Sequence, residues 1–352
     1  MLLSIESSCD DSSIALTEIA SARLVFHHKI SQDSAHSVYG GVVPEIASRL
    51  HTKGLPQILA MVQEFLGDFT RLKAVAITTE PGLSVSLIEG LMMAKLLALH
   101  LHIPLISINH LIGHFYSLFI NQCEVTFPMS VLLVSGGHTQ IIEAQNAQRF
   151  CVIAQSLDDS FGESFDKVAK MLSLGYPGGP IIESYASKLS PTTKIHSLPL
   201  PLKDRHGFSF SGLKNATRLL IESLHAQKDH SLDSHLSESD KALVCASFQQ
   251  AAIAHITNQV EKYLKHKKHP KIRHFAIVGG ASSNAVLRAE IARLCMHFEL
   301  SLHLAPLEFC TDNAAMIGRA AIPEWEMGRF ADVIAQEVSP RSSTEYLQAT
   351  DI

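Results

Sequence analysis

Charge is scarce in this sequence. Of its 352 residues only 18% are Asp, Glu, Lys or Arg, while 46% are apolar, and the mean hydropathy is slightly positive. That excludes a disordered chain, which needs low hydrophobicity and many charges. Positive charge is in deficit as well. With a formal net charge of −5, no basic surface announces a nucleic-acid binder, so any RNA contact has to use a local patch or a partner and to weaken with salt. Paired cysteines are missing: Cys9, Cys123, Cys151, Cys245, Cys295 and Cys310 are scattered with no C-x-x-C, the pattern of reduced thiols in a cytosol. An uninterrupted membrane-spanning run is missing too. The richest apolar stretch, 96–120, contains His100, His102, Pro104, Asn109, His110 and His114, too many polar groups for hydrocarbon. No basic region precedes the short apolar run at the N-terminus, and acids follow it at once, so no signal peptide is expected. The expectation is a cytoplasmic globular protein without a membrane, of a length that suits two domains.

What the sequence does contain is organised around 106–142. Asn109-His110-Leu111-Ile112-Gly113-His114 places two histidines at i and i+4, on one face of a helix, where they can share a metal ion. An apolar run from Met129 to Val134 breaks at Ser135-Gly136-Gly137-His138-Thr139 and resumes. Strand, Gly-Gly turn, strand is a hairpin whose tip exposes backbone N–H groups and can cradle a phosphate. A metal site and a phosphate site together suggest an enzyme acting on a nucleotide-like substrate.

The same strand–polar turn–strand plan stands at the start, Leu2 to Glu6 and Ile14 to Thr17 around Asp10 and Asp11. This weak repeat of pattern hints at a duplicated fold with a cleft between its halves. Pro44 suits a first helical position, with helical spacing through Leu66; Ala74 to Thr78 reads as a buried strand, Val85 to Leu101 as a helix, Leu105 to Ile108 as a strand. A helix is expected after Asp158, ending at Gly175, another from Ala242 to Leu264, and a strand from Phe275 to Val278 that runs into Gly279-Gly280 and a helix. Strands alternating with helices predict an α/β architecture, partly parallel. Residues 226–240 read as an exposed connection, and Lys265 to Lys271 as a basic, solvated helix end.

Each signal also has a plainer reading. Among 20 histidines one His-x-x-x-His pair is as easily coincidence. A zinc protease needs Glu directly after the first histidine, and that position is Leu111. Glycine pairs suit any tight turn, Asp10 and Asp11 can merely shape a loop, and Asp312 can be an N-cap.

Taken in order, ESSCDDSS, YGGVVPEIASR, PGL, NHLIGH, LLVSGGHTQ, FGESFDKVAK, YPGGP, FSFSGLK, GGASSN and FCTDNAAMI resemble the TsaD family over about residues 1–320. These are the tRNA threonylcarbamoyladenosine transferases, long called O-sialoglycoprotein endopeptidases. The resemblance implies a duplicated ribonuclease-H-like fold of the actin/Hsp70/sugar-kinase type. Its lobes are expected at 1–108 with about 312–340, and at 109–311, the second carrying both histidines and the SGGHT hairpin. It also implies transfer of a threonylcarbamoyl group from threonylcarbamoyl-AMP to the N6 amine of the adenosine 3′-adjacent to the anticodon, in tRNAs reading codons that begin with A. The implied partners are the TsaB paralogue, the TsaE ATPase and the TsaC-type synthase that makes the adenylate.

By motif, the implied metal ligands are His110, His114 and Asp312, holding one divalent ion, Fe2+ first and Zn2+ as the alternative. The implied substrate-binding residues are Leu133, Val134, Ser135, Gly136, Gly137, Asp166, Gly179 and Asn284, and Asp10 and Asp11 are the candidate catalytic pair. The donor is a mixed anhydride with a good leaving group, so positioning, oxyanion stabilisation and phosphate binding suffice, with no covalent nucleophile. The chain departs from the family pattern in three places. Asp11-Ser12 stands where Glu-Thr is usual, Leu111-Ile112 where Met-Glu is usual, and 84–90 is bulkier on a surface that resembles the paralogue contact. Two other classes compete, a metallopeptidase and a chaperone-like ATPase on the same fold.

Overall fold

The first five strands form a sheet in which three antiparallel strands are extended by two parallel ones. In the computed structural model, which describes residues 1–190, 192–202, 206–226, 236–266, 272–342 and the backbone of 347–349, β1 (Leu2–Glu6), β2 (Asp11–Thr17) and β3 (Leu24–Ser31) are a meander. The chain continues through α1 (Asp33–Ser37), α2 (Pro44–Leu66), β4 (Ala74–Glu80), α3 (Ser84–Leu101), β5 (Leu105–Asn109) and α4 (His110–Tyr116). The order is β3-β2-β1-β4-β5, with β4 parallel to β1 and β5 parallel to β4. Strands β1 and β4 are buried almost throughout and mostly apolar, their polar residues gathering toward the C-terminal ends, as strands covered on both faces require.

A second sheet repeats the plan. It is built from β6 (Met129–Val134), β7 (Thr139–Asn146), β8 (Arg149–Gln155), β9 (His274–Val278) and β10 (Ser301–Leu304), with β11 (Leu347–Ala349) added at one edge. Its order, β10-β9-β6-β7-β8-β11, contains the first sheet's permutation strand for strand. The weak repeat in the sequence is therefore a true duplication. Between β8 and β9 lie α5 (Phe161–Met171), α6 (Gly178–Ala186), α7 (Ser211–Ala226) and α8 (Glu238–His266); α9 (Ala285–His297) and α10 (Ala314–Glu326) flank β10.

The chain divides into two compact units. One comprises Met1–Phe127, Ala144–Cys151 and Leu304–Asp351, the other Pro128–Glu143 and Val152–His303. Its boundaries correct the lobes expected from the sequence: both histidines belong to the first unit. The reason is local. Strand β5 runs into α4 at Asn109–His110 without a linker, and α4 packs on α10. The first unit's core joins Leu3, Ile5, Ile14, Val75 and Ile77 of the sheet to Leu55 and Ile58 of α2 and Leu91 and Ala94 of α3. The second has an aromatic core of Phe161, Phe165, Phe208, Phe210, Phe248 and Phe275.

The apolar stretch 96–120 is divided among the end of α3, β5 and α4. Among the described residues one helix, α3, is long and apolar enough to cross a membrane. It buries Leu87, Leu91 and Ala94 inward yet leaves Val85, Ile88, Met92, Leu96 and Leu99 exposed in a stripe at helical spacing. After α10 the chain crosses the edge of the first sheet as a strap. Ala331 N–H donates to Leu105 O (2.8 Å), Ser339 N–H to Thr79 O (2.9 Å), and Lys95 Nζ to Ile334 O (2.9 Å). Most of the expected connection at 226–240 and of the basic run at Lys265 to Lys271, namely 227–235 and 267–271, lies outside the described residues.

Candidate metal centre and phosphate-binding turn

The metal candidates converge in the first unit at the C-terminal ends of β1, β4 and β5. Asn109 caps α4: its Oδ1 accepts the N–H groups of Leu111 (2.9 Å) and Ile112 (3.3 Å). The next residue, His110, and His114 one turn later are both buried, their rings 4.7 Å apart edge to face. Opposite them, Asn313 caps α10 through Met316 N–H (2.9 Å), and Ser13 Oγ accepts Ala314 N–H (3.0 Å). The cap is thus Asn313 and not Asp312, which leaves the Asp312 carboxylate to face the imidazoles. Its Oδ1 lies 3.4 Å from His110 Nε2 and 3.2 Å from His114 Nε2.

Burial alone would keep both histidines neutral. For His110 the carboxylates of Asp312 and Glu6 overcome burial and hold it well above its usual range; for His114 burial wins and its pKa falls. Burial also opposes ionisation of Asp312, but the His110 charge holds its carboxyl well below the usual range. Neither ring nitrogen of the fully buried His114 makes a hydrogen bond among the described residues. Unpartnered buried polar atoms are costly, and two imidazoles with one carboxylate, their ligand atoms within 4.8 Å of one another, are the donor set of zinc and of non-haem iron. The residues fit a divalent metal.

Sequence reasoning missed the residues around this triad. Glu6, at the end of β1, accepts from Ser8 N–H (2.6 Å) and Thr78 Oγ1 (2.6 Å), and its Oε2 lies 3.1 Å from His110 Nδ1. Only the pairing of β1 with β4 and of β4 with β5, invisible in sequence, puts it there. The loop after β1 is held by His51 of α2, whose Nε2 donates to Cys9 O (2.9 Å) and whose Nδ1 accepts from Ser12 Oγ (2.7 Å). Asp11 pairs with Lys29 Nζ (2.8 Å), which also donates to Thr311 Oγ1 (3.0 Å), next to Asp312. Burial pushes the Asp11 carboxyl up to about 7, Lys29 opposing and Asp312 and Asp10 adding; Asp10 is raised by burial in the same way. The position after His110, where a zinc protease carries its base, holds a buried leucine.

In the second unit the Ser135–His138 turn joins β6 to β7, with Ser135 N–H donating to His138 O (2.8 Å). Gly136 and Gly137 are exposed, open space stands where a Cβ would be, and neither has left-handed φ. Neither conformation nor packing demands glycine here, and the bare backbone of the turn is left open to solvent. Gly162 is different. It opens α5 against this turn, donating to Ser135 O (3.2 Å), and a Cβ on it would sit 2.5 Å from that oxygen. Gly162→Ala is expected to push the turn away and cost about 1–3 kcal/mol, read as a lowered urea midpoint.

Leu133 and Val134 are buried strand residues, so they offer only backbone. Asp166 Oδ1 accepts Gly178 N–H (2.7 Å) and so shapes the turn that holds Gly179, where a Cβ would also meet open space. Asn284 caps α9 through Leu287 N–H (2.9 Å) and donates Nδ2 to Gln249 Oε1 (3.1 Å). Gly279 precedes it at φ 92°, pressed against Val134 O.

A duplicated α/β fold of the actin/Hsp70/sugar-kinase class, carrying a His-His-carboxylate cluster, is what the chain itself defines. Full-length HypF in its phosphate- and nucleotide-bound form shares that fold over 97% of this chain and 47% of its own, with a TM-score of 0.58 and 12% sequence identity. HypF of T. kodakarensis does so at 0.56 and 11%, over 93% of this chain and 48% of its own. The family model "TsaD: tRNA N6-adenosine threonylcarbamoyltransferase" matches residues 23–319. The tRNA N6-adenosine threonylcarbamoyltransferase of Wolinella succinogenes is 56% identical over 97% of this chain and 99% of its own. Those of Helicobacter hepaticus and of Helicobacter pylori strain J99 are 52% and 54% identical over 97% of this chain and 98% of theirs. The chain belongs to the TsaD family, and it is a transferase of tRNA threonylcarbamoyladenosine modification.

Proposed function

We propose that the chain transfers the threonylcarbamoyl group of threonylcarbamoyl-AMP to the N6 amine of the adenosine 3′-adjacent to the anticodon, in tRNAs reading codons that begin with A. The observation that carries this reading is the buried His110/His114/Asp312 cluster, in which both imidazoles turn Nε2 to one carboxylate oxygen, in a chain of this family. His110, His114 and Asp312 would hold one divalent ion, iron or else zinc, which supplies Lewis acidity to a substrate oxygen. Exposed backbone at Gly136 and Gly137, with Ser135, binds the phosphate of the adenylate, and Asp166, Gly179 and Asn284 shape the rest of its site. Amine attack forms the N6–carbonyl bond and releases AMP; the amine's proton goes to Asp11, whose raised pKa suits a base near neutrality. Asp10 shares that loop.

The exposed apolar stripe on α3 supports docking of a partner. We assign that partner as the TsaB paralogue, with the TsaE ATPase and the TsaC-type synthase completing a cytoplasmic pathway. A reconstituted assay with labelled threonine, bicarbonate, ATP, synthase, TsaB, TsaE and unmodified tRNA tests the reading. Label is expected in tRNA with the wild type and not with His110→Ala, His114→Ala or Asp312→Ala. Label with the variants would discard the metal as essential, and no label with any version, despite confirmed adenylate, would discard the reaction.

A further inference from the structure

We infer that Glu6 is a positioning residue for the metal centre, fixing which nitrogen of His110 carries the proton; this rests on the reading of His110, His114 and Asp312 as metal ligands. Glu6 is fully buried, and both of its oxygens are committed. Oε1 accepts Ser8 N–H (2.6 Å), while Oε2 accepts Thr78 Oγ1 (2.6 Å) and faces His110 Nδ1 at 3.1 Å. An ionised carboxylate has no proton to give, so the contact with His110 requires hydrogen on Nδ1. Ser8 Oγ, 3.2 Å from the same nitrogen, then accepts the same proton. With hydrogen kept on Nδ1, Nε2, the nitrogen turned toward Asp312, is the one that would offer a lone pair to an ion. A ligating imidazole commonly gives its other N–H to a carboxylate in this way, and losing that partner lowers metal affinity about 10–100-fold.

Three strands make the arrangement rigid. Glu6 ends β1, Thr78 lies on the adjacent parallel β4, and His110 follows directly on β5. The geometry also predicts what an isosteric amide does. In Glu6→Gln the NH2 end cannot face Ser8 N–H, because a backbone donor cannot be reversed. It must take the Oε2 position. There Thr78 Oγ1 can turn to accept, but His110 can satisfy the amide only by accepting at Nδ1, which puts its proton on Nε2, where the metal would bind.

The test is zinc binding to the purified full-length chain, measured by chelator competition for wild type, Glu6→Gln, Glu6→Asp and His110→Ala, with nitrogen-15 shifts of the His110 ring as the second readout. Glu6→Gln is expected to weaken zinc about 10–100-fold, Glu6→Asp to recover part of that, and the wild type with zinc bound to show hydrogen on Nδ1. Zinc affinity unchanged in Glu6→Gln while His110→Ala loses it overturns the role of Glu6. Affinity unchanged in His110→Ala overturns the metal triad itself. Should Glu6→Gln fail to fold, the wild-type ring shifts decide: zinc on Nδ1 overturns the inference.

Discussion

Leucine in place of His114 is expected to lower transfer by on the order of 10³-fold and at the same time to make the metal-free protein more stable. His114 is fully buried with neither nitrogen hydrogen-bonded among the described residues. Such a group costs about 1–3 kcal/mol in a protein interior, and leucine fills a similar volume without that cost. In chelator the variant should therefore melt a few degrees above the wild type. Metal reverses the order: at about 100-fold excess over its dissociation constant it stabilises the wild type by about 2.7 kcal/mol and leaves the variant unchanged. The measurement is a pair of melting curves, with and without metal. A variant that melts lower in both would mean that His114 is an ordinary core residue.

Asparagine at Asp11 is expected to flatten the pH dependence of stability and to remove most of the activity. The Asp11 side chain is only 15% exposed, and burial, with Lys29 opposing and Asp312 and Asp10 adding, raises its carboxyl from 3.8 to about 7. The folded state therefore holds this proton more tightly than the unfolded chain does. Its stabilisation is complete below about pH 4 and is lost as pH rises to about 7, a change on the order of 4 kcal/mol for a shift of about 3 units. Asp11→Asn has no such proton, so in chelator its stability should stay flat where the wild type declines. With Asp11 as the base, wild-type transfer should climb through the same region, and the variant should lose about 10²–10⁴-fold in kcat along with that limb. Parallel stability curves for the two proteins would contradict the buried-acid picture.

Local periodicity carried much of the fold into the sequence. Helix α2 runs Pro44–Leu66, as Pro44 and the spacing after it require, and α3 and β5 stand within a residue of expectation. The triad was legible because its motifs recur as a family pattern. Contacts between distant strands were not legible. Glu6 reads as the last residue of an apolar strand, and only the register of β1 on β4 brings it to Thr78 and His110. Asp312 reads as an N-cap because Asp and Asn are equally good ones, and the choice of Asn313 depends on Met316 N–H. The lobe boundary failed at 108/109 because a cap residue, Asn109, looks like a break when it is a junction.

The order of synthesis gives the strap and the Asp312 loop a further meaning. His110 and His114 leave the ribosome roughly 200 residues before Asp312 does, and the strap that covers the sheet edge is later still. A nascent chain stalled between His114 and Asp312 therefore has the two imidazoles without the Asp312 carboxylate, and a β5 not yet covered by the strap. Joining chain segments this far apart is entropically slow, and an ion held between them would act as a clasp on the whole intervening loop. A chain cut short before Asp312 would lack the third of these candidate ligands, whatever else of the fold it had completed.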